Sequence, residues 1–236
     1  MTPTEAKHKI DLLSTEIEQH NYYYYVLDQP TISDFEFDIL LEQLIQLEKQ
    51  FPELLSVNSP SQRVGGQITK SFASVKHHYA MLSLSNSYNQ EDLIDFDRKI
   101  REGLGIVSNG LFDEQIEYVC ELKFDGLSIS LIYENGLLKQ AITRGDGVQG
   151  DDVTTNVKTI KSIPLKLNGH FPPLFEIRGE IFMPRPVFDL LNKEREELGD
   201  ALLANPRNAA SGSMKMQDSA QVAKRKLDCF LYYFLV

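Results

Sequence analysis

The spacing of apolar residues changes along the chain, and this change constrains the fold more than any other feature of the sequence. Near the N-terminus Ile10, Leu13 and Ile17 recur at helical spacing. From about residue 116 onward the apolar runs are short and strand-like. A helical period followed by a strand period predicts an α+β protein with a small helical N-terminal domain and antiparallel sheets after it.

Two capping boxes define the helical part. Residues 2–5 (TPTE) place proline at the first helical position and predict a helix to about His20. Residues 33–36 (SDFE) predict a second helix, which residues 51–52 (FP) end. We therefore expect a helical domain over residues 1–60 and a second domain over residues 61–236, joined by a linker at residues 58–66 that is rich in Ser, Pro and Gly.

The second domain is predicted to be built mainly from strands. Strands are expected over residues 118–123, 127–133 and 137–143, with a hairpin turn at Glu134-Asn135-Gly136. A further strand pair is expected to flank Arg178-Gly179-Glu180. Helices are predicted at 186–198 and, after Asn205-Pro206, at 207–214. Residues 227–236 are predicted to form a strand with no following strand to close the sheet, which suggests a truncated domain.

Charge and cysteine content limit the classes of function. The net charge is −10, and residues 1–60 hold three Lys/Arg against eleven Asp/Glu, whereas residues 200–236 hold five against three. Only the last segment therefore favours phosphate. Cys120 and Cys229 lie in apolar runs, as expected for buried thiols in a reducing compartment. With no apolar signal segment and no membrane span, we expect a cytoplasmic protein without a membrane partner.

One short segment carries the most distinctive chemistry. In an extended chain Glu121, Lys123 and Asp125 share one face, and Gly126 allows the backbone to turn close to a ligand. A lysine nucleophile must be neutral to attack, which requires a nearby cation or loss of water. Considered without its context, Lys-x-Asp-Gly is more typical of an exposed lysine on a surface strand with alternating charges.

Four ordered motifs narrow the interpretation. They are residues 121–127 (ELKFDGL), 143–156 (TRGDGVQGDDVTTN), 177–180 (IRGE) and 204–213 (ANPRNAASGS). Together they closely resemble the motifs of bacterial NAD-dependent DNA ligases, and the resemblance runs from about residue 5 to 235. Residues 145–152 lack the ligand spacing of a calcium loop, so we expect a tight turn there.

The resemblance implies an incomplete nucleotidyltransferase (ATP-grasp-like ligase) domain that uses NAD and Mg²⁺. Lys123 would attack NAD to form lysyl-AMP and release nicotinamide mononucleotide. AMP would then pass to the 5′-phosphate of a DNA nick. The catalytic residues would be Lys123, Asp125 and Arg144. The nucleotide contacts would be Ser83, Leu84, Glu121, Lys123, Arg144 and Glu180, with Glu180 also contacting Mg²⁺. Arg207 and Lys215 would contact DNA.

Three of these assignments have a simpler structural alternative. Arg144 could be an arginine at the end of a hairpin, and residues 81–84 (MLSL) could be an ordinary buried strand. Arg178 and Glu180 could form an ion pair on one face of a strand.

The resemblance also implies a nicotinamide mononucleotide site in the N-terminal unit. Its residues would be Tyr24, Tyr25, Asp34, Phe37 and Asp38, because aromatic rings stack on the cationic nicotinamide ring and carboxylates attract its charge. The alternative is a set of aromatics that pack helices and acids that face solvent. Tyr25 stands where the family often has histidine, Phe37 where tyrosine is common, and Lys215 where arginine is frequent.

Complete ligases of this type are longer. They continue with two more lysine motifs, an oligonucleotide-binding barrel, a zinc module and helix-hairpin-helix repeats. We therefore expect this chain, on its own, to bind nicked duplex DNA weakly or not at all and to seal no nicks. Two other hypotheses are a nucleotidyltransferase that uses ATP or GTP on RNA, which the acidic, aromatic N-terminal unit disfavours, and a non-catalytic binding module with a ligase-like fold.

Overall fold

Two long helices form the N-terminal part. The computed structural model describes residues 1–25, 27, 29–63, 71–106 and 116–236. Helix α1 spans Pro3–Tyr25 and helix α2 spans Asp34–Gln50. Both begin at the predicted capping boxes, including the reciprocal Ser33 and Glu36 bonds before α2. Helix α1 is longer than expected, because the tyrosine run is compatible with helix and the next proline comes only at Pro30.

The two helices pack through a small apolar core, and two short 3₁₀ helices follow them. The buried residues of this core are Ile10, Leu13, Ile17, Leu44 and Leu47. The 3₁₀ helices are Pro52–Leu54 and Pro60–Gln62. Of the aromatic residues considered for helix packing, Phe37 packs against this core, whereas Tyr22 and Tyr24 are exposed.

A four-stranded antiparallel sheet forms the centre of the second part, with strand order β3-β2-β5-β6. Its strands are β2 (Leu127–Glu134), β3 (Leu137–Thr143), β5 (Leu174–Phe182) and β6 (Asp228–Leu235). The predicted hairpin turn between β2 and β3 is confirmed: Asn135 and Gly136 have φ of 49° and 77°, the left-handed values that a two-residue hairpin turn requires. A separate pair joins β1 (Ser74–Lys76) to β4 (Gln149–Asp151).

Four helices pack with this sheet around one apolar core. They are α4 (Thr154–Val157), α5 (Arg185–Leu198), α6 (Pro206–Met214) and α7 (Ser219–Ala223). The core includes Ile129, Leu131, Leu138, Ile160, Ile163, Ile181, Ala210 and Met214. Helices α5 and α6 and strand β6 are close to the predicted ranges, so those predictions are confirmed.

The chain divides into two compact units, of which the smaller is Met81–Lys123. The larger unit comprises Met1–Ala80 and Phe124–Val236. Within the smaller unit, helix α3 (Gln90–Leu104) begins at the cap Asn89 and ends at Gly105, which has φ of 70°. The Tyr118 hydroxyl donates to Asp97 at 2.6 Å and holds the segment after the helix against it.

Three predictions about local structure are wrong. Residues 118–123 are extended but form no strand in the described structure, because alternating side chains do not make a strand without a neighbouring backbone ladder. Residues around Arg178 form one continuous strand, β5, instead of a strand pair. Cys120 is exposed and Cys229 is half-buried, so only the second resembles a core thiol. The predicted linker residues Gly65 and Gly66 lie outside the described residues.

None of the described helices is long and apolar enough to span a membrane.

Candidate functional site

A polar cavity of about 590 Å³ opens where β2 begins and β3 ends. We call it the polar cavity. It is lined by Asp125, Gly126, Leu127, Ser128, Thr143, Arg144, Gly145, Asn205, Arg207, Asn208, Ser211 and Lys215. Three predicted residues, Arg144, Arg207 and Lys215, thus meet Asp125 around one space, and Asp125, Arg144 and Arg207 come from three separate motifs. Three cationic side chains around one cavity favour an anionic ligand.

Glu180 lies on strand β5 and holds the start of the neighbouring strand β2 by two hydrogen bonds. One of its carboxylate oxygens accepts from the Gly126 N–H at 3.1 Å and the other from the Ser128 hydroxyl at 2.7 Å. A Cβ on Gly126 would lie 2.0 Å from the Ile181 carbonyl oxygen, so only glycine fits there. Glu180 and Gly126 therefore fix the backbone three residues after Lys123.

Arg178 and Glu180 do not form the ion pair considered as the structural alternative. Arg178 pairs instead with Glu176 at 2.7 Å and donates to the carbonyl oxygens of Tyr79 and Ala80. Because β5 is a single strand, Arg178 and Glu180 share a face, but each has its own partners. Arg178 thus has a structural role between β1 and β5.

The carboxylates fit a magnesium ion only in part. Both oxygens of Glu180 already accept hydrogen bonds. Among the described residues no group of three or more His, Cys, Asp or Glu is placed to hold a metal. Mg²⁺ is usually held by one or two carboxylates together with phosphate oxygens and water. A nucleotide would therefore have to supply most of the ligands.

Two cations of the polar cavity form weak, solvent-exposed ion pairs. Arg207 lies 3.2 Å from an Asp125 oxygen and Lys215 lies 3.5 Å from an Asp151 oxygen. All four side chains are exposed to solvent by at least about a third of their surface. Such pairs contribute only about 0–1 kcal/mol to stability. Both cations can therefore leave their partners for a phosphate at little cost.

A tight turn positions Arg144 at the cavity edge. The Asp146 carboxylate accepts from the N–H groups of Val148 and Gln149 at 2.9 and 2.8 Å, and these bonds lower its pKa. Gly145 and Gly147 have φ of 56° and 93°. This arrangement confirms the predicted tight turn.

Helix α6 presents Arg207 and Asn208 from its first turn. Asn205 caps the helix by accepting from the Asn208 N–H at 2.8 Å, and Pro206 occupies the first helical position. Ala210 and Met214 are fully buried and anchor the opposite face. The polar side of α6 is thereby turned to the cavity.

A second cavity, of about 370 Å³, lies in the helical part, and we call it the helical cavity. It is lined by His20, Asn21, Tyr24, Pro30, Thr31, Ile32, Ser33, Phe37, Asp38, Leu41 and Lys161. The predicted residues Tyr24, Phe37 and Asp38 therefore surround one space. The side chains of Tyr25 and Asp34 lie outside the described residues.

Three residues that line the helical cavity were not predicted from the sequence. His20 Nδ1 lies 3.0 Å from the Thr31 hydroxyl. Asn21 is buried, and neither of its amide atoms has a hydrogen-bond partner in the part of the chain that the structure describes. Lys161 comes from beyond α4, and its pKa is lowered to about 8, mainly by burial. No local motif marks these three residues.

The remaining predicted residues belong to the smaller unit. Ser83, Leu84, Glu121 and Lys123 are all exposed, and residues 81–84 form no strand. Lys123 stands two residues before Asp125 in the chain. Phe124, between them, stacks on Phe230 with ring centroids 4.0 Å apart, which anchors the chain directly after Lys123.

Comparison with known proteins covers nearly the whole chain. Residues 3–65 match the family described as the DNA ligase-like, N-terminal NAD+-binding domain, and residues 69–236 match the NAD-dependent DNA ligase adenylation domain.

Individual relatives give the same result. A DNA ligase of Cytophaga hutchinsonii is 55% identical over 236 residues, which is 100% of this chain and 34% of the relative. One of Flavobacterium psychrophilum is 57% identical over 224 residues, or 95% of this chain and 33% of the relative. One of Petrotoga mobilis is 49% identical over 233 residues, or 99% and 34%. The chain spans about a third of the length of these relatives. With the adenylation-domain match covering well over half of it, the chain belongs to the NAD-dependent DNA ligase adenylation domain family.

Proposed function

We propose that this chain is the NAD-reading part of a DNA ligase, in which Lys123 takes AMP from NAD and releases nicotinamide mononucleotide. The observation that carries the proposal is the polar cavity, which is lined by Asp125, Arg144, Arg207 and Lys215. Asp125 follows Lys123 by two residues in the chain. The relatives named DNA ligase support the same activity. A cytoplasmic location is part of the proposal and is supported by relatives that are DNA ligases of bacteria.

The proposed first step is a displacement at phosphorus. The neutral Lys123 amine attacks the adenylyl phosphorus, and a new N–P bond forms. The bond from that phosphorus to the bridging oxygen breaks, and its electron pair leaves with nicotinamide mononucleotide. The amine proton is lost to solvent. Arg144 is proposed to stabilise the charge that develops on the adenylyl phosphate, where a bidentate donor is most effective.

The other polar groups are proposed to hold the nucleotide. Glu121 and Asp125 orient the lysine and contact the ribose, and Ser83 and Leu84 frame the adenine. Glu180 positions Gly126, and it contacts any Mg²⁺ that enters with the phosphates. These roles fit a reaction in which the protein mainly positions the reacting groups and stabilises their charge.

The helical cavity is the proposed site for the nicotinamide half of NAD. Tyr24 and Phe37 would stack on the ring and Asp38 would attract its charge, with Tyr25 and Asp34 proposed to contribute as well. The match of residues 3–65 to an NAD+-binding domain supports this assignment. We propose that residues 1–60 form this domain and residues 61–236 a partial nucleotidyltransferase domain with an ATP-grasp-like ligase fold.

In the later steps AMP would pass from Lys123 to the 5′-phosphate at a DNA nick, and the 3′-hydroxyl would displace it. Arg207 and Lys215 are proposed to contact the phosphates of DNA. Their exposed, weakly paired side chains support that role. Lys215 offers a single point charge where arginine would offer a fork.

The role of Glu180 can be tested by substitution. A suitable protein is a chimera in which residues 1–236 replace the matching region of the Cytophaga hutchinsonii ligase. Glu180→Ala leaves the buried Gly126 N–H without its acceptor, so we expect a loss of about 1–3 kcal/mol in stability and a slower transfer of AMP from NAD. Glu180→Gln keeps one acceptor and should lose less.

Thermal unfolding and the rate of AMP incorporation would measure both effects. Glu197→Ala, at an exposed position on α5, is the matched control. A Glu180→Ala chimera with unchanged stability and unchanged rate would show that the two hydrogen bonds do not position the backbone beside Lys123.

The 236-residue chain on its own is expected to seal no nicks. Its net charge of −10 opposes binding to DNA, and it spans about a third of its relatives' length. A labelled nicked duplex would be incubated with NAD, Mg²⁺ and either the chain or the chimera. We expect ligated product from the chimera only. Sealing by the chain at the rate of the chimera would contradict this prediction.

A further inference from the structure

The helical cavity is lined by one residue that lies far from the others in sequence. Of the eleven described residues that line it, ten fall between His20 and Leu41, and the eleventh is Lys161. Lys161 belongs to the region that matches the adenylation domain, whereas the others belong to the region that matches the NAD+-binding domain. The cavity therefore combines side chains from both matched regions.

The backbone that carries Lys161 is firmly held. The Arg63 guanidinium donates to the carbonyl oxygens of Lys158, Ile160 and Ile163 at 3.3, 3.1 and 3.1 Å. Ile160 and Ile163, on either side of Lys161, are each 1% exposed. A lysine fixed at both sides in this way is preorganised to meet a ligand, which lowers the entropic cost of binding.

Within the described part of the chain, the charge on Lys161 has no direct partner. No hydrogen bond or ion pair to its amine is found among the residues that the structure describes. Burial and, to a smaller extent, the nearby Arg63 cation lower its pKa to about 8, while Asp38 acts in the opposite direction. The Lys161 side chain is half-buried, and partial removal of an amine from water is costly when no described residue pairs with it. An anion that enters the cavity would relieve that cost.

We propose that Lys161 binds the 5′-phosphate of the nicotinamide mononucleotide half of NAD and thereby holds the leaving group while Lys123 attacks. This inference rests on the proposed function and adds to it a residue that binds the phosphate. Tyr24, Phe37 and Asp38 are proposed to bind the ring, and none of the three carries the positive charge that would balance a phosphate. Among the described lining residues, His20 is the other basic one.

The proposal implies a characteristic pH dependence. Phosphate binding favours the charged amine, so it raises the pKa of Lys161 above its value of about 8 in the free protein. Affinity for nicotinamide mononucleotide is then fully present below pH 8 and falls as the pH rises further, by up to about tenfold per pH unit. The phosphate is already a dianion at these pH values, since its second pKa is about 6.

The experiment is calorimetry on the 236-residue chain with two ligands that differ only in the phosphate, nicotinamide mononucleotide and nicotinamide riboside. Lys161→Met removes the charge at similar volume, Lys161→Arg restores it, and the exposed Lys166→Met is the matched control. We expect Lys161→Met to weaken binding of the mononucleotide by about tenfold or more, the loss of a charge-assisted hydrogen bond. Binding of the riboside should be unchanged, and Lys161→Arg and Lys166→Met should behave like the parent chain.

Each result has a defined meaning. If the Lys161→Met chain binds the mononucleotide as tightly as the parent, the inference fails and the proposed nicotinamide site stands. If the parent chain binds neither ligand, the proposed function of the helical cavity fails, and the inference fails with it. If Lys161→Met does not fold, a pH titration of the parent chain decides: a mononucleotide affinity that stays flat from about pH 7 to about pH 10 would overturn the role of Lys161.

Discussion

Replacing Lys123 with alanine is expected to reduce transfer of AMP from NAD to the chimera below detection. The amine of Lys123 is the nucleophile in the proposed reaction, and a methyl group can form no bond to phosphorus. Lys123 is exposed, so the fold should be unaffected. The measurement is incorporation of labelled AMP, with circular dichroism to verify folding.

Lys193→Ala provides the matched control, because it removes an exposed lysine on α5. It should incorporate AMP at the parental rate. Incorporation that persists in the Lys123→Ala chimera and maps to another residue would show that the nucleophile has been assigned wrongly.

Deleting residues 1–60 from the chimera should also cause a very large loss, in this case confined to the reaction with NAD. The deletion removes α1, α2 and ten of the residues that line the helical cavity, so the nicotinamide half of NAD loses its binding site. Arg63 remains and continues to hold residues 158–163. The polar cavity lies entirely outside the deleted segment.

Sealing of a nick whose 5′ end already carries AMP should therefore survive the deletion, because that step needs no nicotinamide site. The two reactions would be measured side by side on the same preparations. A truncated chimera that still takes AMP from NAD at the parental rate would place the nicotinamide site elsewhere in the protein.

The local sequence predicted those parts of the fold whose cause is local. The capping boxes at residues 2–5 and 33–36 and the Asn-Gly turn were sufficient, because each is stabilised by bonds within a few residues. Helix α3 was missed although Asn89 and Gly105 mark its ends. Its apolar residues Leu93, Phe96, Ile100 and Leu104 recur at helical spacing, so the sequence carried a periodic signal that the prediction did not use.

The errors about strands have a non-local cause. A strand pair was expected to flank Arg178-Gly179-Glu180, yet the single strand β5 runs straight through Gly179. A Cβ there would lie 2.2 Å from the Phe230 carbonyl oxygen, so this glycine permits the close approach of β6. Residues 118–123 alternate like a strand, but alternation does not reveal whether a neighbouring ladder exists.

The residues of the candidate site were predicted only where they belong to a sequence motif or to a segment that resembles the ligase family. Residues from separate motifs, including Arg144 and Arg207, do line one cavity. Lys161 could not be found in this way, since its nearest companions in the helical cavity are about 120 residues away in sequence. A juxtaposition over that distance is created by the fold and leaves no local pattern.

The most direct test of the central claim is to identify which nucleotide modifies the chimera and on which residue. The protein would be incubated with Mg²⁺ and either NAD or ATP, digested, and its peptides examined by mass spectrometry. We predict an AMP adduct on Lys123 with NAD, matched by release of nicotinamide mononucleotide, and no adduct with ATP. An adduct formed from ATP, or one carried by a residue other than Lys123, would contradict the account.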